Sequence, residues 1–143
     1  YSLDKYINKS VNIKFIEFKD MNQEEVVKNI YVDSKIVEHG ELKPAYGFVI
    51  QEGNKKVGFS GDSKLCEMIE EIIEQSNMSV LDMSLAENGN NEHMGLNDIE
   101  ELCKKYKDKI IVATHMHDFT RETAKNRNIK NLIIPEDGQS INI

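Results

Sequence analysis

The sequence lacks the features of several protein classes. It has no tryptophan, only two prolines, and no apolar run near the roughly 20 residues that a membrane-spanning helix needs, which argues against membrane insertion. Lys and Arg total 18 against 25 Asp and Glu, a formal net charge of −7, so we do not expect nucleic acid to bind through a basic surface. The two cysteines, Cys66 and Cys103, fall on apolar helical positions, which favours two reduced core thiols and a cytoplasmic location over a disulfide.

The composition that remains is typical of a soluble globular protein. Apolar residues make up 39% and charged residues 30%. A chain of 143 residues without repeats or linkers is interpreted as a single unit, residues 1–143, that buries about 68–70% of its unfolded surface. The chain starts at Tyr1 with neither an initiator Met nor a signal peptide, and either removal of a tag or excision from a longer protein accounts for that start.

The first part of the sequence has the period of β-strands. Val11, Ile13 and Phe15 alternate with polar residues, and Glu52-Gly53-Asn54 is typical of a hairpin loop. The strands predicted here and further along are Ile36-Val37, Ala45–Gln51, Lys56–Ser60, Met78–Met83, Lys109–Thr114, Asn131–Ile134 and Gln139–Ile143.

Three segments have helical character. Ser63 is a good N-cap for an amphipathic helix over 63–75, and a second helix begins at Asn97, whose Glu100 completes a capping-box-like pair. Thr120–Lys125 is predicted as a weak helix. Strands followed by alternating strands and helices predict an α/β or α+β fold with layered sheets.

Side chains suited to metal binding follow two of the predicted strands. His115 comes directly after Lys109–Thr114, and Asp62 follows Lys56–Ser60 through Gly61, which lets the backbone turn sharply. Imidazole and carboxylate are ligands that suit zinc and its neighbours. Ordinary structural roles stay open, because Asp62 can cap the following helix and His115 can satisfy a backbone carbonyl.

Two further histidines are candidates on weaker local grounds. His39 stands before Gly40, where an ordinary turn residue would also fit. His93 lies in a loop rich in Asn and Glu, where it can simply be solvated. The local pattern does not decide between these roles.

Five short motifs occur in a defined order across residues 36–116. They are Glu38-His39-Gly40 followed by Pro44-Ala45-Tyr46-Gly47-Phe48, Phe59-Ser60-Gly61-Asp62-Ser63, Leu81-Asp82-Met83-Ser84, His93-Met94-Gly95, and Ala113-Thr114-His115. Asp62 follows His39 by 23 residues, and His115 follows His93 by 22. In this combination the sequence resembles the metallo-β-lactamase fold superfamily, most closely its phosphodiesterase and tRNase Z-like branch.

The resemblance implies a role for each matching residue. His39 and His115 would ligate the first and the second metal, and Asp62 would bridge both. His93 would be the general acid that protonates the leaving oxygen, oriented by Asp82. The resemblance therefore implies a metal-dependent hydrolase of a phosphodiester or a similar ester, with two Zn²⁺ per complete domain and Mn²⁺ as the other candidate.

The superfamily signature His-x-His-x-Asp-His is absent, since the only histidine ahead of Asp62 is His39. The resemblance implies that this chain is the C-terminal half of an αββα sandwich, a mixed sheet with helices on one face, in which Tyr1–Glu38 supplies connecting strands. We expect this fragment alone to bind metal weakly or not at all and to be inactive. Its uncovered sheet face would meet the missing N-terminal half or a second copy.

A different class of function also fits the sequence. A non-catalytic binding or interaction module that keeps the fold without a metal centre would equally lack the histidine-rich signature and carry the acidic charge.

Overall fold

A computed structural model describes residues 23–143 of the chain. The alternation predicted at Val11–Phe15 lies outside the described residues, as does most of the region predicted to supply connecting strands. The described part of that region contributes to two strands that pair antiparallel.

The described residues form one seven-stranded sheet in the order β1-β2-β3-β4-β5-β6-β7. The strands are β1 (Gln23–Val27), β2 (Ile30–His39), β3 (Leu42–Glu52), β4 (Lys55–Phe59), β5 (Met78–Asp82), β6 (Ile110–Thr114) and β7 (Leu132–Ile133). Neighbours from β1 to β4 pair antiparallel, and neighbours from β4 to β7 pair parallel. The sheet is therefore mixed, as the sequence predicts.

Each parallel connection is made by a helix, because two parallel strands need a long crossover between them. The helices are α1 (Glu67–Gln75), α2 (Leu96–Lys105) and α3 (Asp118–Arg127). All three contribute buried side chains to one core cluster, among them Ile72, Ile99 and Ala124. The sheet residues of that cluster, such as Val49 and Leu81, occupy one face by register, so the helices cover a single face of the sheet.

Two glycines let α1 approach the sheet closely. A Cβ atom at Gly47 would lie 2.7 Å from Ile72 Cδ1, and one at Gly58 would lie 2.5 Å from Ile72 Cγ2. Both distances are far inside van der Waals contact, so the backbone of β3 and β4 serves as the packing surface for Ile72.

The predicted start of the first helix is wrong. The structure begins α1 at Glu67 with Cys66 as N-cap, because Ser63 is committed elsewhere. Its N–H donates to the Asp82 carboxylate, and its hydroxyl is within reach of the Glu38 carbonyl. These bonds hold Ser63 away from a helical position, so residues 63–66 precede the helix and are not part of it.

The predicted start of the second helix and the last predicted strand are also corrected. Helix α2 starts at Leu96 with Gly95 as N-cap, and the capping bond runs from the Gly95 N–H to the Asp98 carboxylate rather than between Asn97 and Glu100. Residues 139–143 form no strand in the described part of the chain. Between residues 23 and 143, no helix has the length and hydropathy that crossing a membrane would require.

Both cysteines are free thiols. Cys103 is buried, and burial raises the pKa of its thiol to about 11, with a smaller contribution from the Glu100 charge. Cys66 is half-buried at the N-cap of α1 rather than on an interior helical position.

Candidate metal centre

Strand direction brings the predicted site residues to one edge of the sheet. Because β3 is antiparallel to both of its neighbours, β2 runs in the same direction as the parallel set β4, β5 and β6. Their carboxyl ends share one edge. His39 ends β2 and Asp82 ends β5, while Asp62 and His115 follow β4 and β6.

Asp82 is fully buried and lies at the centre of the hydrogen bonds at this edge. Its Oδ1 accepts the N–H of Ser84 at 3.0 Å, and its Oδ2 accepts the N–H of Ser63 at 3.1 Å. The same Oδ2 lies 2.7 Å from Nδ1 of His93. A buried carboxylate needs such partners, since an unpaired one would lose its hydration without compensation.

His93 lies in a loop that is stabilised by its own internal hydrogen bonds. The Asn90 side-chain oxygen accepts the N–H groups of Glu92 and His93 at 2.7 and 2.8 Å, and the Asn90 N–H donates to the His93 carbonyl. With Nδ1 donating to Asp82, the Nε2 of a neutral His93 carries a free lone pair.

The orientation of His39 is set by the same loop. Its Nδ1 lies 2.9 Å from the carbonyl oxygen of Glu92, and the Gly40 N–H donates to the carbonyl of Asn91. A carbonyl oxygen can only accept, so Nδ1 must carry the proton and Nε2 is again the free nitrogen.

His115 completes the cluster and adopts a left-handed backbone conformation, with φ of 59°. Non-glycine residues rarely occupy this region, and when they do they are found disproportionately at functional sites. Its Nδ1 lies 3.1 Å from Asp62 Oδ1 and 3.7 Å from Asp82 Oδ1. Ser84 helps hold this conformation by donating its hydroxyl to the His115 carbonyl.

Three imidazoles therefore stand side by side. The ring centroids of His39 and His93 are 4.9 Å apart, and those of His93 and His115 are 5.1 Å apart. Asp62 contacts His115 and Asp82 contacts His93, so all five residues singled out in the sequence lie in one place. Their individual roles stay predictions.

The chemistry of the donors fits a divalent metal. Ligand atoms of Asp82, His93 and His115 lie within 4.8 Å of one another, and nitrogen and carboxylate oxygen are the ligands that zinc takes. This group shares His115 with the ligands implied by the resemblance, but its other two members, His93 and Asp82, are the pair predicted to be catalytic.

The sequence did not reveal the contacts that support these residues. Ser84, two residues after Asp82, has a recognisable local signal, whereas the Glu92 carbonyl has none.

Main-chain bonds join the segments that carry these residues. The Lys64 N–H donates to the Glu38 carbonyl, and the Met94 N–H donates to the Ser63 carbonyl. Residues from the ends of β2 and β4 and from the loop before α2 are thereby connected directly.

A mixed sheet with helices on one face, and imidazoles and carboxylates gathered at its carboxyl edge, defines a protein of the metallo-β-lactamase fold. Residues 14–116 match the family model of the beta-lactamase superfamily domain, and the chain belongs to that family. No curated protein matches the sequence.

Solved structures share the fold at low identity. The metallo-beta-lactamase fold protein YhfI from Bacillus subtilis is 16% identical with a TM-score of 0.73, the alignment covering 94% of this chain and 58% of that protein. The isothiocyanate hydrolase from Delia radicum gut bacteria is 20% identical, with a TM-score of 0.67 and coverage of 87% and 58%. A diphosphatase from the PhnP family is 19% identical, with a TM-score of 0.69 and coverage of 99% and 53%. The chain thus spans little more than half the length of these proteins.

Proposed function

We propose that this chain is part of a metal-dependent hydrolase that acts on a phosphodiester or a similar ester. The observation that carries the proposal is the convergence of three imidazoles and two carboxylates at one sheet edge. Membership of the beta-lactamase superfamily and the fold shared with a PhnP-family diphosphatase support it. Free thiols are consistent with the cytoplasmic location that we propose for it.

We assign the metal to His39, Asp62 and His115, with two Zn²⁺ per complete domain and Mn²⁺ as the other candidate. When bound, such a metal polarises the ester and lowers the pKa of water. His93 acts in its doubly protonated form: Nδ1–H donates to Asp82, and the proton on Nε2 passes to the leaving oxygen, which leaves the neutral Nδ1–H imidazole. Asp82 is a positioning residue that holds this imidazole in one tautomer and orientation.

A comparison of two alanine variants tests this assignment. His93→Ala should leave zinc affinity within about threefold but lower hydrolysis of a phosphodiester by about 10²–10⁴-fold, because only the proton donor is lost. Asp62→Ala should lower zinc affinity itself. Zinc titration by calorimetry and turnover of a chromogenic phosphodiester, both on the complete protein, give the two readouts.

Asp108→Ala, an exposed carboxylate in the turn after α2, is the matched control for a lost charge. If His93→Ala lowers zinc affinity as much as Asp62→Ala does, then His93 is a ligand and the metal belongs to the group of Asp82, His93 and His115. If the complete protein binds no metal, the non-catalytic binding module becomes the better interpretation.

We also propose that the helix-free face of the sheet packs against a further half-domain that supplies the remaining metal ligands. A cavity of about 560 Å³ on this face is lined by Phe59 and Val80 and also by Asp62 and His115 of the site. Further along the face, Ile36 and Tyr46 are paired across β2 and β3 and remain 49% and 43% exposed. An apolar surface of this kind is typical of an interface.

Ile36→Lys should reduce association through this face. Light scattering of the 143-residue chain, alone and mixed with the half-domain that carries His-x-His-x-Asp-His, measures the effect. We expect the unmodified chain to pair with that half or with itself, and Ile36→Lys to remain a monomer. Glu101→Lys, on the exposed side of α2 and away from this face, should pair normally. A monomeric unmodified chain that ignores the added half would contradict the proposal.

A further inference from the structure

One carboxylate closes both ends of the 89–95 segment, the second half of the loop between β5 and α2. Asp98, in the first turn of α2, accepts the N–H of the N-cap residue Gly95 at 2.9 Å, which is one half of a capping box and an ordinary bond at a helix N-terminus. The same oxygen, Oδ2, accepts the N–H of Gly89 at 2.9 Å. The second bond is not part of the cap. It ties Gly89, in the middle of the loop, to the end of the loop at Gly95.

The glycines at these two points leave no room for a side chain. A Cβ at Gly89 would lie 2.3 Å from Asp98 Oδ2 and 2.7 Å from the His93 carbonyl oxygen. A Cβ at Gly95 would lie 2.2 Å from the carbonyl oxygen of Glu87. The backbone of the loop is therefore packed closely at both glycines, and the Asp98 carboxylate lies between them.

This loop controls two imidazoles at once. It carries His93, and its Glu92 carbonyl is the acceptor that fixes the proton of His39 on Nδ1. The neighbouring Asn91 carbonyl accepts the Gly40 N–H, so the loop also holds the backbone next to His39. A displacement of the loop would move both groups, although Asp98 is not among the groups brought together at the site.

We propose that Asp98 is a positioning residue that, by clamping the 89–95 loop, holds His93 in place and selects the tautomer of His39. The inference rests on the proposed function only in treating these two histidines as working groups of the site. The Glu92 carbonyl, which Asp98 holds in place, bonds directly to His39. Loss of such a partner of a metal-ligating histidine typically lowers metal affinity or activity by about 10–100-fold.

The tautomer of His39 gives a readout that needs neither metal nor turnover. In long-range ¹H–¹⁵N spectra of the full chain at neutral pH, we expect His39 as the Nδ1–H tautomer in the unmodified protein. Asp98→Ala should release the loop and give a mixture of the two tautomers, because the Glu92 carbonyl is no longer held against Nδ1. Asp98→Asn should restore the single tautomer, since one amide oxygen can still accept both N–H groups.

Two further variants keep the test decisive. Gly89→Ala strains the same clamp without removing the carboxylate and should also mix the tautomers, which separates loop release from a general loss of folding. Glu101→Ala removes an exposed carboxylate from the same helix and should change nothing. Amide signals of β2 and β3 report whether each variant remains folded.

Zinc alone, titrated into the complete protein, provides the second readout. Asp98→Ala should bind it about 10–100-fold more weakly, and Asp98→Asn within about threefold of the unmodified protein. Retention of the Nδ1–H tautomer in folded Asp98→Ala and Gly89→Ala would overturn the inference. If no variant binds zinc, including the unmodified protein, the proposed function fails while the tautomer result still decides this inference.

Discussion

Replacing Asp82 with alanine is expected to lower the free energy of unfolding by about 2–4 kcal/mol, because it leaves buried donors without a partner. The carboxylate is fully buried and accepts the N–H groups of Ser63 and Ser84 as well as the imidazole of His93. Water cannot replace it at this depth without rearrangement. Because the metal is assigned to His39, Asp62 and His115, zinc affinity should fall less in Asp82→Ala than in Asp62→Ala. Complete loss of zinc binding in Asp82→Ala would instead favour the group of Asp82, His93 and His115 as the ligands.

Urea unfolding and zinc calorimetry measure the two effects separately. Asp82→Asn keeps one acceptor oxygen and should lose less stability than the alanine variant, but it cannot restore all three bonds. Asp108→Ala, in an exposed turn, should unfold within about 0.5 kcal/mol of the unmodified protein. A loss of less than 1 kcal/mol in Asp82→Ala would show that its partners find other acceptors.

The packing of α1 on the sheet gives the second large effect. Ile72→Ala should lower the free energy of unfolding by about 2–5 kcal/mol, since the side chain is fully buried between helix and sheet. Gly58→Ala should cost about 1–3 kcal/mol for the opposite reason, because its new methyl group would meet Ile72 Cγ2 at 2.5 Å.

The double variant tests whether the two changes act on the same contact. Removing the Ile72 side chain relieves the closest contact of the methyl group at position 58, while Ser76 Oγ at 2.7 Å remains. The combined loss in urea unfolding should therefore fall short of the sum by at least about 0.5 kcal/mol. Val27→Ala removes the same kind of side chain at an exposed position and should have little effect. If the losses of the two single variants simply add in the double variant, then α1 moves to accommodate the methyl group at position 58 and Ile72 does not clash with it.

Much of the fold follows from periodicity. The strands that end at Phe59, Asp82 and Thr114 can be predicted from their apolar runs, and the apolar stripe of α1 that contains Ile72 can be predicted from the helical period. The start of α1 could not be predicted. Ser63 has the residue type of an N-cap, but a carboxylate 19 residues away takes its N–H, and that is a tertiary contact without a local signal.

The candidate site divides in a similar way. His115 and Asp62 can be identified because polar residues directly after strands reach a common edge when those strands run the same way. The orientation of His39 could not be predicted, since it depends on a main-chain carbonyl 53 positions away. Asp98 lies in a helical first turn, where an acidic residue is unremarkable, and only the path of the loop shows its second bond.

The bonds that join the three segments at the sheet edge have an evolutionary consequence. These bonds run from Gly40 to Asn91, from Lys64 to Glu38 and from Met94 to Ser63, and they use only main-chain N–H and C=O groups. Every residue has both groups except proline, which lacks the N–H. Mutation can therefore replace most side chains in these segments without erasing the scaffold beneath them. Lineages that diverge until few identities remain can keep the same framework and vary the groups that it displays.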